Sequence, residues 1–314
     1  MRIVVAGSSG LIGSALVPAL ESAGHQVDRM IRPGGRGPGI AWDPAAGTID
    51  AAGLEGAGAV VNLCGRSIGE RRWDEAERRL IWESRVGATA LLSRALAGLR
   101  RPPALLLNAS AVGYYGNRPG ERLDESSGPG SGFFPELCAA WEGATGTAGR
   151  AGIGVAFLRS GVVLSAAGGA LARLLAPLGP SWLSPFRWGL GGWLGDGTQV
   201  WSWISLEDEV RAIVHLLASG AAGPVNLTSP DPADNKRFVR AVGKALGRPV
   251  WLPIPRLVPR LVLGRDLADL LLFDSAAVHP GRLEADGFRF AHPLVEGAVA
   301  AAMSRGGSGS RAAS

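Results

Sequence analysis

Lysine and tyrosine are nearly missing from this 314-residue sequence. Lys236 and Lys244 are the only lysines among 32 basic residues, and Tyr114 and Tyr115 are the only tyrosines. Four residues beyond the tyrosines stand Arg118 and Pro119. The sequence therefore excludes a Tyr-x-x-x-Lys pair, in which an ammonium lowers a phenol's pKa so that it exchanges a proton near neutral pH. Cysteine is sparse too: Cys64 and Cys138 lie far apart, with no CxxC. Neither a disulfide framework nor a metal site is expected, which fits a reducing compartment. No run of 18 uninterrupted apolar residues occurs, which excludes a membrane-spanning helix. The longest apolar region, Leu171–Leu194, is broken by Arg173, Pro177, Pro180, Pro185 and Arg187. Met1-Arg2 leads straight into the strand-like Ile3–Ala6, so no signal peptide is read and the expected location is cytoplasmic.

What is present suits a large folded chain. Hydrophobic residues make up 46% and charged residues 19%, enough for a sizeable core. The net charge of +5 and the pI near 10 raise the question of nucleic acid. The arginines are scattered and no nucleic-acid motif accompanies them, so no such partner is expected.

Apolar runs alternate with helical patterns. Strands are expected at Ile3–Ala6, Gln26–Ile31, Ala59–Leu63, Ala104–Asn108 and Val155–Leu158. Helices are expected at Leu11–Ala23, along Glu75–Leu99 as one long element, and near Phe134–Arg150. Strands alternating with helices specify an α/β fold with a doubly wound parallel sheet of the Rossmann type, because parallel strands need crossover helices. Their near-continuous apolar character fits a sheet covered on both faces.

After residue 165 the rhythm changes. Gly-, Pro- and Trp-rich sequence runs to about residue 200, followed by helix-like pieces at Glu207–Leu217, Asn235–Leu246 and Leu257–Phe273. The expected organisation is a nucleotide-binding domain over 1–165, with 200–230 returning to it. A smaller, mostly helical substrate domain is expected over 166–303, and a disordered tail over 304–314. The broad apolar surface of Leu257–Phe273 points to burial or a homodimer face rather than a membrane. Trp182, Trp188, Trp193, Trp201 and Trp203 fall close together, either as a lid over a planar or apolar substrate or as core.

The first chemical motif is Gly7-Ser8-Ser9-Gly10-Leu11-Ile12-Gly13, a GxxGxxG between a strand and a helix. Gly7 permits the tight turn, Gly10 lets backbone approach a pyrophosphate, and Gly13 lets helix and strand pack closely. The helix N-terminus offers free N–H groups and partial positive charge. Gly7, Ser9, Gly10, Leu11, Ile12 and Gly13 are thus candidate dinucleotide-binding residues; the plainer alternative is a βα turn that uses glycine for positive φ.

A second discriminator lies about twenty residues on. NAD-binding units carry an acidic residue there for the ribose hydroxyls. Here the strand ends Met30-Ile31-Arg32-Pro33, and Asp28 lies earlier in it. Arg32 can fork onto a 2′-phosphate through charge-assisted bonds worth about 1.5–3 kcal/mol. NADP is therefore the expected cofactor, unless Arg32 is only a solvated loop charge. Leu63, Cys64 and Gly65, at the end of another strand, are expected on its adenosine-ribose side, with Cys64 a small filler or a reactive thiol.

Several segments together resemble a known family. They are Gly7–Gly13; Asn62-Leu63-Cys64-Gly65; Arg72-Trp73 with Ser84-Arg85 and Thr89; Ser110-Ala111-Val112-Gly113-Tyr114-Tyr115-Gly116; Trp141-Glu142; Arg159-Ser160-Gly161-Val162-Val163-Leu164; and Val278–Leu283 with Gly287–Phe290. Over nearly its whole length the chain resembles the atypical extended short-chain dehydrogenase/reductases called the epimerase family, which are sugar-nucleotide epimerase-like. In that superfamily the Tyr/Lys pair sits on the helix holding Phe134 and Cys138 here, and the family itself shows the broken pair. Two departures stand out: Ser205 in Trp203-Ile204-Ser205 replaces a histidine, and Arg66 replaces an acidic or small residue.

The resemblance implies site residues. Arg85 is similar to a family residue that reaches the cofactor; the alternative is a surface salt bridge with Glu83 or another carboxylate. Ser110 falls where the superfamily places a substrate-orienting hydroxyl. Tyr115, and secondarily Tyr114, would donate a hydrogen bond or proton to a carbonyl; the alternative is structural packing. Glu142 is read as a capping or salt-bridge carboxylate before an acid/base. Two functions stay open: an NADP-dependent oxidoreductase or epimerase acting on a small carbonyl, alcohol or sugar-nucleotide substrate, or a catalytically silent NADPH-binding sensor or interaction protein.

Overall fold

The computed structural model describes residues 1–69, 71, 73–175, 186 and 191–309, with no side-chain description over 305–309. The chain divides into two compact units. The first holds Met1–Tyr114, Ser131–Arg159 and Val210–Val225; the second holds Tyr115–Gly130, Ser160–Glu209 and Asn226–Ser314.

The first unit is organised around eight strands: β1 (Arg2–Ala6), β2 (Gln26–Ile31), β3 (Ile40–Asp43), β4 (Thr48–Ile49), β5 (Ala59–Asn62), β6 (Leu105–Ala111), β7 (Gly154–Ser160) and β8 (Gly223–Leu227). Their spatial order is β8-β7-β6-β5-β1-β2-β3-β4. β1 runs parallel to both β2 and β5, and β5 parallel to β6. The strand order reverses at β1, the switch point outside whose carboxyl strand ends sheets of this type generally bind ligands. Ile3, Val4, Val5 and Ala6 are fully buried, as both faces of a covered sheet demand. The β3–β4 hairpin at the edge is antiparallel; its short strands carry too little pattern to read from sequence.

Helices cover this sheet. α1 (Leu11–Ser22) buries Gly13, Leu16, Val17 and Leu20. The long helix expected from Glu75 is not uniform: α2 (Glu75–Trp82) and α3 (Ala88–Ala97) are joined by a π-helical turn, Glu83–Gly87. One extra residue per turn shifts the helical register there, a feature common at functional sites, and Arg85 lies within it. α4 (Phe133–Gly143) and a separate short helix, Gly146–Arg150, occupy the span near Phe134–Arg150. The core gathers Val4, Val60 and Leu106 from the sheet with Leu92, Leu96 and Ile153.

α5 (Leu206–Ser219) begins on a serine cap. Ser205 Oγ accepts from Asp208 N and donates to Asp208 Oδ2, both at 2.9 Å. The second unit contains four two-stranded pairs among the described residues, Arg118–Leu123 with Ala276–Val278 being one. It also holds α6 (Asn235–Ala245) and α7 (Val295–Gly309). Phe238, Val239 and Val242 of α6 pack with Val295 and Val299 of α7 around Trp203. The piece expected over Leu257–Phe273 is divided at Gly264, whose φ of +86° no helix accommodates. α7 continues through 309, into the stretch read as a tail; 310–314 lie outside the described residues. These parallel strands with their covering helices form a Rossmann-like sheet in a mixed α/β fold.

Candidate functional site

The glycine loop is shaped by close approach. Gly7 has φ +78°, and a Cβ there would stand 2.8 Å from the backbone of Leu63. A Cβ on Gly13 would stand 2.2 Å from Gly7 O. Gly10 is different: a Cβ would meet only Gly7 O, at 3.3 Å. The fold thus requires glycine at positions 7 and 13, whereas at position 10 it leaves room in front of the helix. Gly10 is the N-cap of α1; no side chain caps it, and no acidic residue stands in the first turn. Those backbone N–H groups and the positive end of the helix dipole suit an anion.

At the end of β2 two charged groups have different fates. Asp28 accepts from Arg2 Nε at 2.6 Å, so it is already engaged. Arg32 is exposed and has no ion-pair partner among the described residues. It lies near Cys64, whose thiol burial pushes up to about 12 against the opposing pull of Arg32. A thiol held protonated is no nucleophile, and Cys64 packs as a filler against the core.

The ends of β5 and β6 are tied by a buried amide network. Asn62 Nδ2 donates to Asn108 Oδ1 at 2.7 Å and to Thr89 Oγ1 at 3.0 Å. Trp141 Nε1 donates to the same Thr89 oxygen, at 3.0 Å. Asn62 Oδ1 receives Cys64 N at 3.2 Å, which fixes the turn Leu63-Cys64-Gly65. Arg85 lies on that turn: a Cβ on Gly65 would sit 3.1 Å from its Cζ. Its Nη2 donates to Arg66 O at 2.9 Å and its Nη1 to Ile81 O at 3.2 Å. The guanidinium is buried, lies 5.2 Å over the Trp141 ring, and is pushed down to about 10 by desolvation. It makes no salt bridge to a carboxylate among the described residues. Glu83, the alternative partner, instead faces Arg79 at 4.0 Å. Arg66 is occupied by Glu77, at 2.6 and 3.1 Å.

Ser110, at the carboxyl end of β6, is nearly buried. Its hydroxyl donates to Glu142 Oε1 at 2.7 Å. Glu142 is held by Arg159, Nε to Oε1 at 2.8 Å and Nη2 to Oε2 at 2.9 Å. Arg159 lies over the Tyr114 ring, 3.5 Å from its centroid. The salt-bridge reading of Glu142 therefore describes it, but Ser110 as its third member was not legible: 32 and 17 residues separate these partners along the chain.

The structure places Tyr115 in the second unit. Its side chain is fully buried, and its hydroxyl donates to Asn226 Oδ1 at 2.7 Å. This phenol is built into a core. At the superfamily's Tyr/Lys positions, the Phe134 ring presses on Gly113, where a Cβ would be 2.0 Å from Phe134 Cδ1. Trp73 stacks on Phe134 at 6.2 Å. Burial pushes the Cys138 thiol up to about 12, and the Phe134 ring has no titratable group.

In the second unit, the aromatic segment is partly core. Trp203 is fully buried and Trp201 packs edge-on against Phe238 at 5.3 Å, which removes both from a lid. Trp193 faces Lys236 Nζ at 4.6 Å. Trp182 and Trp188 lie outside the described residues. Among the described residues no cluster of metal-ligating side chains occurs, and no helix is long and apolar enough to cross a membrane.

Comparison with known proteins finds relatives along almost the whole chain. Residues 3–135 match the NAD dependent epimerase/dehydratase family, and residues 254–302 match a domain of unknown function, DUF1731. An epimerase family protein of Mycobacterium bovis is 44% identical over 97% of this chain and 98% of its own. The human epimerase family protein SDR39U1 is 36% identical over 95% of this chain and 98% of its own. The crystal structure of that human protein with NADPH superposes with a TM-score of 0.86 at 35% identity, covering 96% of this chain and 99% of that one. With such relatives along almost its entire length, this chain belongs to the epimerase family.

Proposed function

We propose that this protein binds NADP(H) and works as an oxidoreductase or epimerase on a small alcohol, carbonyl or sugar-nucleotide substrate. The observation that carries the cofactor reading is the pairing of Asp28 with Arg2, which leaves the exposed Arg32 as the charge at the end of β2. The residues fit the group. The uncapped α1 N-terminus, with Ser9, Gly10, Leu11, Ile12 and Gly13, would hold the pyrophosphate, and Arg32 the 2′-phosphate. Leu63, Cys64 and Gly65 would line the adenosine-ribose side, and the carboxylate-free Arg85 beside Gly65 would meet a ribose or phosphate oxygen. The NADPH-bound human relative supports the same choice.

When bound, the nicotinamide supplies hydride exchange. The chain's own contribution is placement: Ser110 at the end of β6 meets the substrate oxygen, and Phe134, Trp73 and Gly113 keep the neighbouring wall apolar. The reading sets the protein in the cytoplasm, in keeping with its two free cysteines, as a homodimer with a small-molecule substrate and without nucleic acid. The test is a fluorescence titration of NADPH against NADH, followed by turnover on alcohols, ketones and nucleotide sugars. Equal affinity for the two cofactors sinks the NADP reading.

A specific observation favours a second reading. With Phe134 and Cys138 in place of the Tyr/Lys pair and Tyr115 built into a core, the protein would serve as an NADPH-binding sensor or interaction partner. Tight NADPH binding with no turnover on any substrate distinguishes it.

A further inference from the structure

A serine hydroxyl has one proton to give and two lone pairs to receive with. In Ser110 the proton is spent: the hydroxyl donates to Glu142 Oε1 at 2.7 Å. That carboxylate is itself fixed, because both its oxygens receive Arg159, at 2.8 and 2.9 Å. The two side chains are 4% and 9% exposed, so the pair lies largely out of bulk solvent. Arg159 is further held against the Tyr114 ring, 3.5 Å from its centroid. An ion-paired carboxylate only accepts hydrogen bonds, so the Ser110 proton has one place to point.

We propose that the Glu142–Arg159 ion pair sets the polarity of Ser110, so that Ser110 accepts from the bound substrate and the group it recognises is a hydroxyl. The inference rests on the small-substrate reading given above. It assigns the preferred ligand class: a secondary alcohol or sugar hydroxyl, the hydrogen-bearing member of an alcohol/carbonyl pair. A carbonyl oxygen over Ser110 would face that hydroxyl's lone pairs, and the Phe134 ring on the adjoining helix has no proton to donate to it. Ser110 determines specificity; Glu142 and Arg159 are positioning residues that act through it.

The test uses matched fragments, cyclohexanol against cyclohexanone and myo-inositol against its 2-keto derivative. Their binding to the full chain is measured by ligand-observed NMR with and without saturating NADPH. Wild type is expected to bind each alcohol about three- to tenfold more tightly than its ketone, the yield of one hydrogen bond. Ser110→Ala is expected to remove the preference. Glu142→Gln, whose amide can donate to Ser110 Oγ and free the serine proton, is expected to invert it. Equal binding, a ketone preference, no alcohol binding, or a preference that Ser110→Ala leaves intact overturns the proposal. Wild type and Ser110→Ala carry the test if Glu142→Gln does not fold. NADPH affinity is read separately by fluorescence: its loss with an intact alcohol preference overturns the cofactor reading alone, and the converse overturns this one alone.

Discussion

Arg2 holds Asp28 at 2.6 Å, and this one ion pair decides which charge the second strand presents. Asp28 lies in the strand that normally ends in an acidic residue reading the ribose hydroxyls of NAD. Paired to Arg2, whose Nη1 also donates to Glu55 O at 2.8 Å, it is held away from that task. Arg32, at the strand's end, has no ion-pair partner among the described residues.

Arg32→Ala is therefore expected to weaken NADPH about 10- to 100-fold, the loss of one or two charge-assisted hydrogen bonds. NADH affinity should stay within about twofold, since its ribose lacks the phosphate. Parallel fluorescence titrations of the two cofactors read the difference. An unchanged NADPH affinity would remove Arg32 from the site.

The glycines of the first loop are expected to separate into two kinds. Gly13→Ala drives a methyl to 2.2 Å from Gly7 O and 2.7 Å from Ser8 Cα, backbone that has nowhere to move. It should cost about 1–3 kcal/mol or more of stability. Gly10→Ala meets only Gly7 O, at 3.3 Å, and should fold with little loss. Its methyl instead occupies the approach to the helix N-terminus, so NADPH should bind at least tenfold more weakly. Thermal melts without cofactor and NADPH titrations of both variants check the division.

Tyr115→Phe should be a stability variant. It leaves Asn226 Oδ1 without its 2.7 Å donor in a fully buried setting, a loss of about 1–3 kcal/mol. Asn226 also donates through Nδ2 to His279 O at 2.9 Å, so the damage should spread to the segment around His279. Denaturant unfolding should show the loss, while NADPH affinity per folded molecule stays unchanged. A drop in turnover with no loss of stability would return Tyr115 to the active site.

Glu209 should make stability depend on pH. It is fully buried, and desolvation pushes its carboxyl up to about 8 from an ordinary 4.5, against the opposing hydrogen bond from Ser160 Oγ at 2.6 Å. Between those values the unfolded chain has released the proton and the folded chain still holds it. Stability therefore falls as pH rises from about 4.5 to 8, by up to about 1.4 kcal/mol per unit, and levels off above. Glu209→Gln keeps an acceptor for Ser160 and has no proton to lose. Melts from pH 5 to 8.5 should show the variant overtaking wild type as pH rises; parallel curves would refute a buried neutral Glu209.

Much of the first unit was legible because its signals are local. Gly7, Gly10 and Gly13 fall at a fixed spacing behind an apolar strand, and β1 and β5 are nearly continuous apolar runs. The short edge hairpin and the π-helical turn at Glu83–Gly87 were not, since four residues of strand or one extra residue in a helix leave no periodic trace. The absence of a Tyr/Lys pair was likewise certain from composition.

The sequence by itself determined the doubly wound sheet, the glycine loop behind its first strand and the lack of a phenol–ammonium pair, because each depends on residue type and short spacing. The tertiary structure alone decided what the polar groups do. It joined Ser110 to Glu142 across 32 residues and Tyr115 to Asn226 across 111, and it took Asp28 out of competition with Arg32. A hydroxyl's or carboxylate's role depends on which partner burial forces upon it, and long-range partners in a folded core are set by packing rather than by neighbours in the chain.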